Sequence, residues 1–109
     1  MTCKNVYDRD FPLSNALACV GKGWAAIVTH LYNLCDTYGV VIYQIKEKFG
    51  GLRFYVGEAP IKVHTAIEQA EKQSLVTCES CGGAAKVNNN NGWFSTRCKE
   101  CYDAENKTL

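Results

Sequence analysis

Residues 40–57 read VVIYQIKEKFGGLRFYVG, and this stretch decides the fold. Two runs of β-branched and aromatic residues flank Gly50-Gly51, the signature of an antiparallel hairpin with a two-residue turn. With Phe49 opposite Leu52, alternation puts Val41, Tyr43, Ile45, Phe49, Leu52, Phe54 and Val56 on one face. The other face carries Gln44, Lys46, Lys48, Arg53 and Tyr55. Glu47 falls on the apolar face near the turn, within reach of water. A slip of one residue inverts both faces, so the register is the wager in this reading.

The flanking segments change period. Leu13, Leu17, Val20, Trp24, Ile27, Val28, Leu31, Leu34, Cys35 and Tyr38 recur at steps dominated by three and four, which is helical spacing. Gly21 and Gly23 break the pattern into a short first helix, capped by Ser14, and a longer one over 24–37 that stops at Gly39. Residues 1–12 read as irregular. Pro60 opens a further helix over 60–74, whose stripe is Val63, Ala66, Ile67, Ala70 and Ser74. The expected fold class is α+β: N-terminal helices, one hairpin, a further helix and a C-terminal finger. A body over 1–76 and a finger over 77–109 divide the chain.

The finger rests on cysteine. Cys78, Cys81, Cys98 and Cys101 form two C-x-x-C pairs with a 16-residue insert, within the spacing of a zinc site. Thiolate is a preferred ligand of Zn2+, and four of them close a structural tetrahedron. A catalytic zinc needs an open position, which four cysteines deny it. Two disulfides or unrelated thiols are the competing readings. The insert reads as a second hairpin, 84–87 and 93–97 around a loop over 88–92, and a short helix follows over 98–106. Knuckle, hairpin and helix start together suggest a zinc ribbon or treble clef, with one structural Zn2+ as cofactor. Cys19 and Cys35 fall on or beside helical apolar stripes and read as core. Cys3 lies in the irregular start.

Composition limits the rest. The chain has 109 residues, of which 47% are hydrophobic and 21% charged, so a core is possible and wholesale disorder is excluded. No apolar run approaches the roughly 20 residues of a membrane span. The start MTCKNVYDRDF has no apolar stretch after its basic residue, which leads to the expectation of no secretory signal and a cytoplasmic protein. The net charge is +1, and a zinc held by four thiolates takes it to −1. Coating nucleic acid by bulk charge is thereby excluded.

His30 and His64 have no Cys or Asp partner at a metal or relay spacing, and no Ser, His and acid assemble into a catalytic set. The expectation is a protein that is not an enzyme. The outer hairpin face is the remaining candidate, since Lys46, Lys48 and Arg53 outnumber the single acid Glu47. With Tyr55, they would suit an acidic protein surface or a phosphate backbone with stacked bases. A merely solvated strand face is the plainer reading.

The string QIKEKFGGLRFY, Gln44–Tyr55, resembles a family of small proteins of unknown function from bacterial and bacteriophage genomes. The likeness extends to Gly23-Trp24, to Ala70-Glu71 with Ser74, to Thr77-Cys78 with Cys81-Gly82, and to Gly92-Trp93 with Thr96, Cys98 and Cys101. It covers about residues 21–101. The resemblance implies a zinc-binding accessory protein of phage or prophage, working in a bacterial cytoplasm. By analogy with other small phage proteins, its partner would be a host protein or ribonucleoprotein complex, such as a CRISPR or other defence effector. The alternative is a nucleic-acid-binding regulator using the basic hairpin face.

Overall fold

The computed structural model describes residues 3–4, 12–90 and 92–106. The elements run β1 (Cys3–Lys4), α1 (Leu13–Leu17), a 3-10 turn (Lys22–Trp24), α2 (Ala25–Thr37), β2 (Ile42–Lys48), β3 (Gly51–Val56), α3 (Ile61–Ser74), β4 (Lys86–Asn90), β5 (Trp93–Arg97) and α4 (Lys99–Asn106). The chain is α+β, as the sequence led one to expect. β1, β2 and β3 form an antiparallel sheet in that order, and β4 and β5 form a separate hairpin. β1 was not anticipated. Its two residues pair with Ile45 and Gln44; the rest of the expected irregular start, except Pro12, lies outside the described residues.

The β2–β3 register differs from the expectation in two places. Lys48, not Phe49, ends the pairing, opposite Gly51. The turn is therefore Phe49-Gly50, with φ of +54° and +83°. Positive φ at both central residues is what a type I′ turn requires. The Glu47 carboxylate fastens it by accepting the Gly50 amide at 2.6 Å. This moves the pairing by two residues, so most side chains keep their faces.

The second difference is a bulge. Ile42 pairs with Val56 and Gln44 with Tyr55, leaving Tyr43 as the extra residue. The bulge turns Ile42 into the core and Tyr43 out, where it lies against Gly57. Tyr43 and half-buried Val41 therefore do not fill the inner positions expected of them; Ile42 and Val40 do.

The inner face of the sheet, Ile42, Ile45, Leu52 and Phe54, joins one core with Trp24, Val28, Leu31 and Cys35 from the α2 side and Val63, Ile67 and Ala70 from α3. The α3 stripe is as expected, with Ala66 only partly buried. Two side chains of α3 also bond β3. Ser74 Oγ accepts the Leu52 amide at 2.9 Å, and Glu71 accepts that of Phe54 at 3.0 Å. Gly39 ends α2 with φ +65°, and the following Val40 amide returns to Cys35 O. The cap expected of Ser14 is not made: α1 starts after Pro12, and Ser14 lies inside it. Cys19 and Cys35 are both buried, as expected of core residues. Cys19 is disulfide-bonded, whereas Cys35 is a free thiol pushed up to about 11 by burial.

Gly50 and Gly39 both hold positive φ, but only Gly50 is crowded. A Cβ there would lie 3.2 Å from Thr96 Oγ1 and 3.3 Å from the Ser95 carbonyl carbon, while at Gly39 nothing lies within 4 Å. Gly50→Ala is expected to cost about 1–3 kcal/mol and more than Gly39→Ala, which bears the backbone strain alone. Equal losses in urea unfolding would show that the contact to β5 carries no weight.

Candidate functional site

The four cysteines of the two pairs come together. Their sulfurs all lie within 4.8 Å of one another, and none is disulfide-bonded. Cys81 and Cys98 Sγ are 3.7 Å apart. A tetrahedral Zn–S shell at about 2.3 Å has S–S edges of about 3.8 Å. The donor set and its spacing fit one Zn2+ with no position left for a substrate.

Local backbone chemistry makes the cluster. Cys78 N–H bonds Gly83 O at 2.7 Å and Gly82 N–H bonds Cys78 O at 2.8 Å, closing a knuckle in which Gly82 takes φ +84°. The Gly83 amide then points at Cys81 Sγ (3.4 Å), and the Cys101 amide at Cys98 Sγ (3.5 Å). Cys98 lies immediately before α4 and Cys101 in its first turn. β4 and β5 connect the two pairs. Asn88 and Asn89, expected in a loop, extend β4, because Asn90 pairs with Trp93. Only 91–92 remain between the strands, and residue 91 lies outside the described residues.

Thiol chemistry within the cluster is uneven. Burial pushes Cys78 up, but hydrogen bonds from the backbone of Cys98, Cys81 and Ser80 outweigh it and bring the thiol down to about 6. Cys101 is pushed up to about 12, chiefly by the side chains of Cys98 and Cys78. Zinc binds all four as thiolates, so loading the cluster releases protons.

Glu79, which sequence reasoning passed over, ties the two ligand pairs together. Its amide bonds Thr96 O at 2.9 Å, its Oε2 accepts the Thr96 amide at 3.1 Å, and its Oε1 meets Arg97 at 3.3 Å. Burial raises its pKa, against the pull of the Thr96 amide and Arg97. Thr96 and Arg97 lead directly into Cys98. A carboxylate between two ligand cysteines was the available signal, but its partner lies 17 residues on.

The knuckle also sits against the start of α2. The Gly23 amide bonds Glu79 O at 2.9 Å, and the buried Trp24 indole donates to Thr77 O at 2.8 Å. A Cβ at Gly23 would lie 2.0 Å from Cys78 O, and one at Gly21 2.2 Å from Glu79 O. Only glycine allows this approach.

The second candidate, the outer face of β2–β3, is assembled as expected. Lys46 pairs directly with Arg53, Gln44 with Tyr55 and Lys48 with Gly51. Lys46 Nζ lies 5.8 Å from the centre of the Tyr55 ring, and Lys48 Nζ 5.6 Å from that of Phe49. None of the three cations ion-pairs with a described carboxylate. His30 and His64 are exposed and join no cluster among the described residues. No described helix is long and apolar enough to cross a membrane. No family model, curated protein or solved structure matches the chain.

One zinc per chain is expected by elemental analysis of the purified protein. Its affinity should fall as pH is lowered, because protons then compete for the thiolates. Cys81→Ser should lose the metal and the order of the C-terminal hairpin. Metal-free protein with disulfides at these positions, by mass spectrometry, would contradict this.

Proposed function

We propose that the chain is a small, non-enzymatic zinc-binding module that acts by occupying an acidic surface of a partner protein complex. One observation carries this. Lys46 and Arg53 stand directly opposite each other across an antiparallel pair, with no described carboxylate paired to either. Like charges in that position destabilise a sheet. An acidic partner turns the same arrangement into complementarity.

The metal's part is structural. A four-thiolate shell offers no open coordination position, and the order of knuckle, β4–β5 hairpin and α4 supports a treble-clef reading of the finger. The finger braces the tip of the hairpin that presents Lys46, Lys48, Arg53 and Tyr55. The resemblance of Gln44–Tyr55 and the later motifs supports an origin in phage or prophage, action in a bacterial cytoplasm, and a host defence effector as the target. A nucleic-acid partner is the second reading, favoured by the two aromatic rings beneath Lys46 and Lys48. The zinc-loaded net charge of −1 weighs against it.

Arg53→Glu separates binding from folding, because the two should move in opposite directions. It replaces a like-charge pair with an opposite one and should raise stability by roughly 0.2–1 kcal/mol. It should also abolish capture of the partner from nuclease-treated host lysate. Undiminished capture by the more stable variant would reduce this face to solvated surface. Capture that needs intact nucleic acid would favour the second reading.

A further inference from the structure

The tip of the β2–β3 hairpin meets the β4–β5 hairpin in an open groove of about 340 Å³, lined by Glu47, Lys48, Phe49, Gly92, Trp93 and Phe94. Three observations there exceed what the fold needs. Phe49 holds φ +54°, a conformation that costs a bulky residue strain and that Asn or Gly would adopt more readily in this turn. It is nevertheless 61% exposed, touching Phe94 edge-on with ring centres 5.9 Å apart. Trp93, also in the lining, is 76% exposed. Aromatic side chains held open to solvent at a groove are the usual anchors of a protein interface.

The charges around the groove choose the occupant. The Glu47 carboxylate is held by the Gly50 amide, and its single charge is outnumbered by the three cations of the adjoining face. Lys48, in contrast, has no described carboxylate partner, and Lys46 and Arg53 continue the positive charge along the same face. The geometry points to an acidic segment of a partner protein, which inserts one aromatic side chain between Phe49 and Trp93 and lays its carboxylates on Lys48, Lys46 and Arg53. This rests on the reading of the basic face as a protein-binding surface and adds an aromatic anchor at the hairpin tip.

Tryptophan fluorescence tests it on the full zinc-loaded chain, because Trp93 is exposed while Trp24 is wholly buried. The probe is a short peptide of glutamates around a central phenylalanine. Its controls are the same peptide with lysines for glutamates, and oligothymidylate. The acidic peptide should protect Trp93 from acrylamide saturably, and the basic one should not. Phe49→Asn should weaken the acidic peptide at least about tenfold, as loss of an anchor does, while melting at the same or a higher temperature. Absence of protection by the acidic peptide would overturn the proposal, as would unchanged affinity in Phe49→Asn. Protection by oligothymidylate alone would also overturn it and assign the groove to bases. If Arg53→Glu abolishes partner capture while Phe49→Asn leaves it intact, the groove fails and the basic face stands.

Discussion

The knuckle backbone lies in direct contact with the turn before α2, and most of the molecule depends on that contact. Gly23 bonds Glu79 O, and its missing side chain leaves room for the Cys78 carbonyl. One residue later, Trp24 donates to Thr77 O and fills the centre of the hydrophobic core. Three consecutive residues, Thr77, Cys78 and Glu79, thus serve the core, the metal centre and the β5 strand at once. A chain of this size has a small core, and a metal that holds such a segment in place extends its reach.

A second seam sets the presentation of the basic face. Thr96, buried in β5, donates its hydroxyl to Gly50 O at the tip of the body hairpin. Glu79 holds Thr96 from the other side. The tip is therefore fixed through the same residues that lead into Cys98, the third cysteine of the cluster. Ser74 and Glu71 hold β3 from behind. The outer face of the sheet keeps cations that no described carboxylate pairs.

Much of this was legible in the sequence because it is local. Period two over 42–56, the helical stripes on α2 and α3, and the paired C-x-x-C spacing each reflect neighbours a few residues apart. The four cysteines cluster, and Lys46, Lys48, Arg53 and Tyr55 share a face, as their spacing indicated. The misses have long-range or conformational causes. Gly50-Gly51 looked like the turn, yet Glu47 captures the Gly50 amide and places Phe49 in a conformation its type disfavours. Gly51 serves packing instead, lying close beneath Leu75. The bulge at Tyr43 moved Val41 and Tyr43 off the inner face, and asparagines that favour loops were drawn into β4 by pairing with β5. Glu71, Ser74 and Thr96 stood in the motifs of the resemblance, but their partners lie 17, 22 and 46 residues away. No pattern of near neighbours exposes such contacts.

Residues 77–79 couple the cysteine cluster to the core. Hydrogen exchange at the Gly23 amide and the Trp24 indole, followed by NMR with zinc bound and after chelation, measures this coupling directly. With zinc, both protons should be strongly protected, because each is bonded to a knuckle carbonyl. Removing the metal should expose both while the amides of Leu52 and Phe54, held by α3, keep much of their protection. If Gly23 and Trp24 exchange at the same rate with and without zinc, the finger does not brace the body and the central claim is wrong.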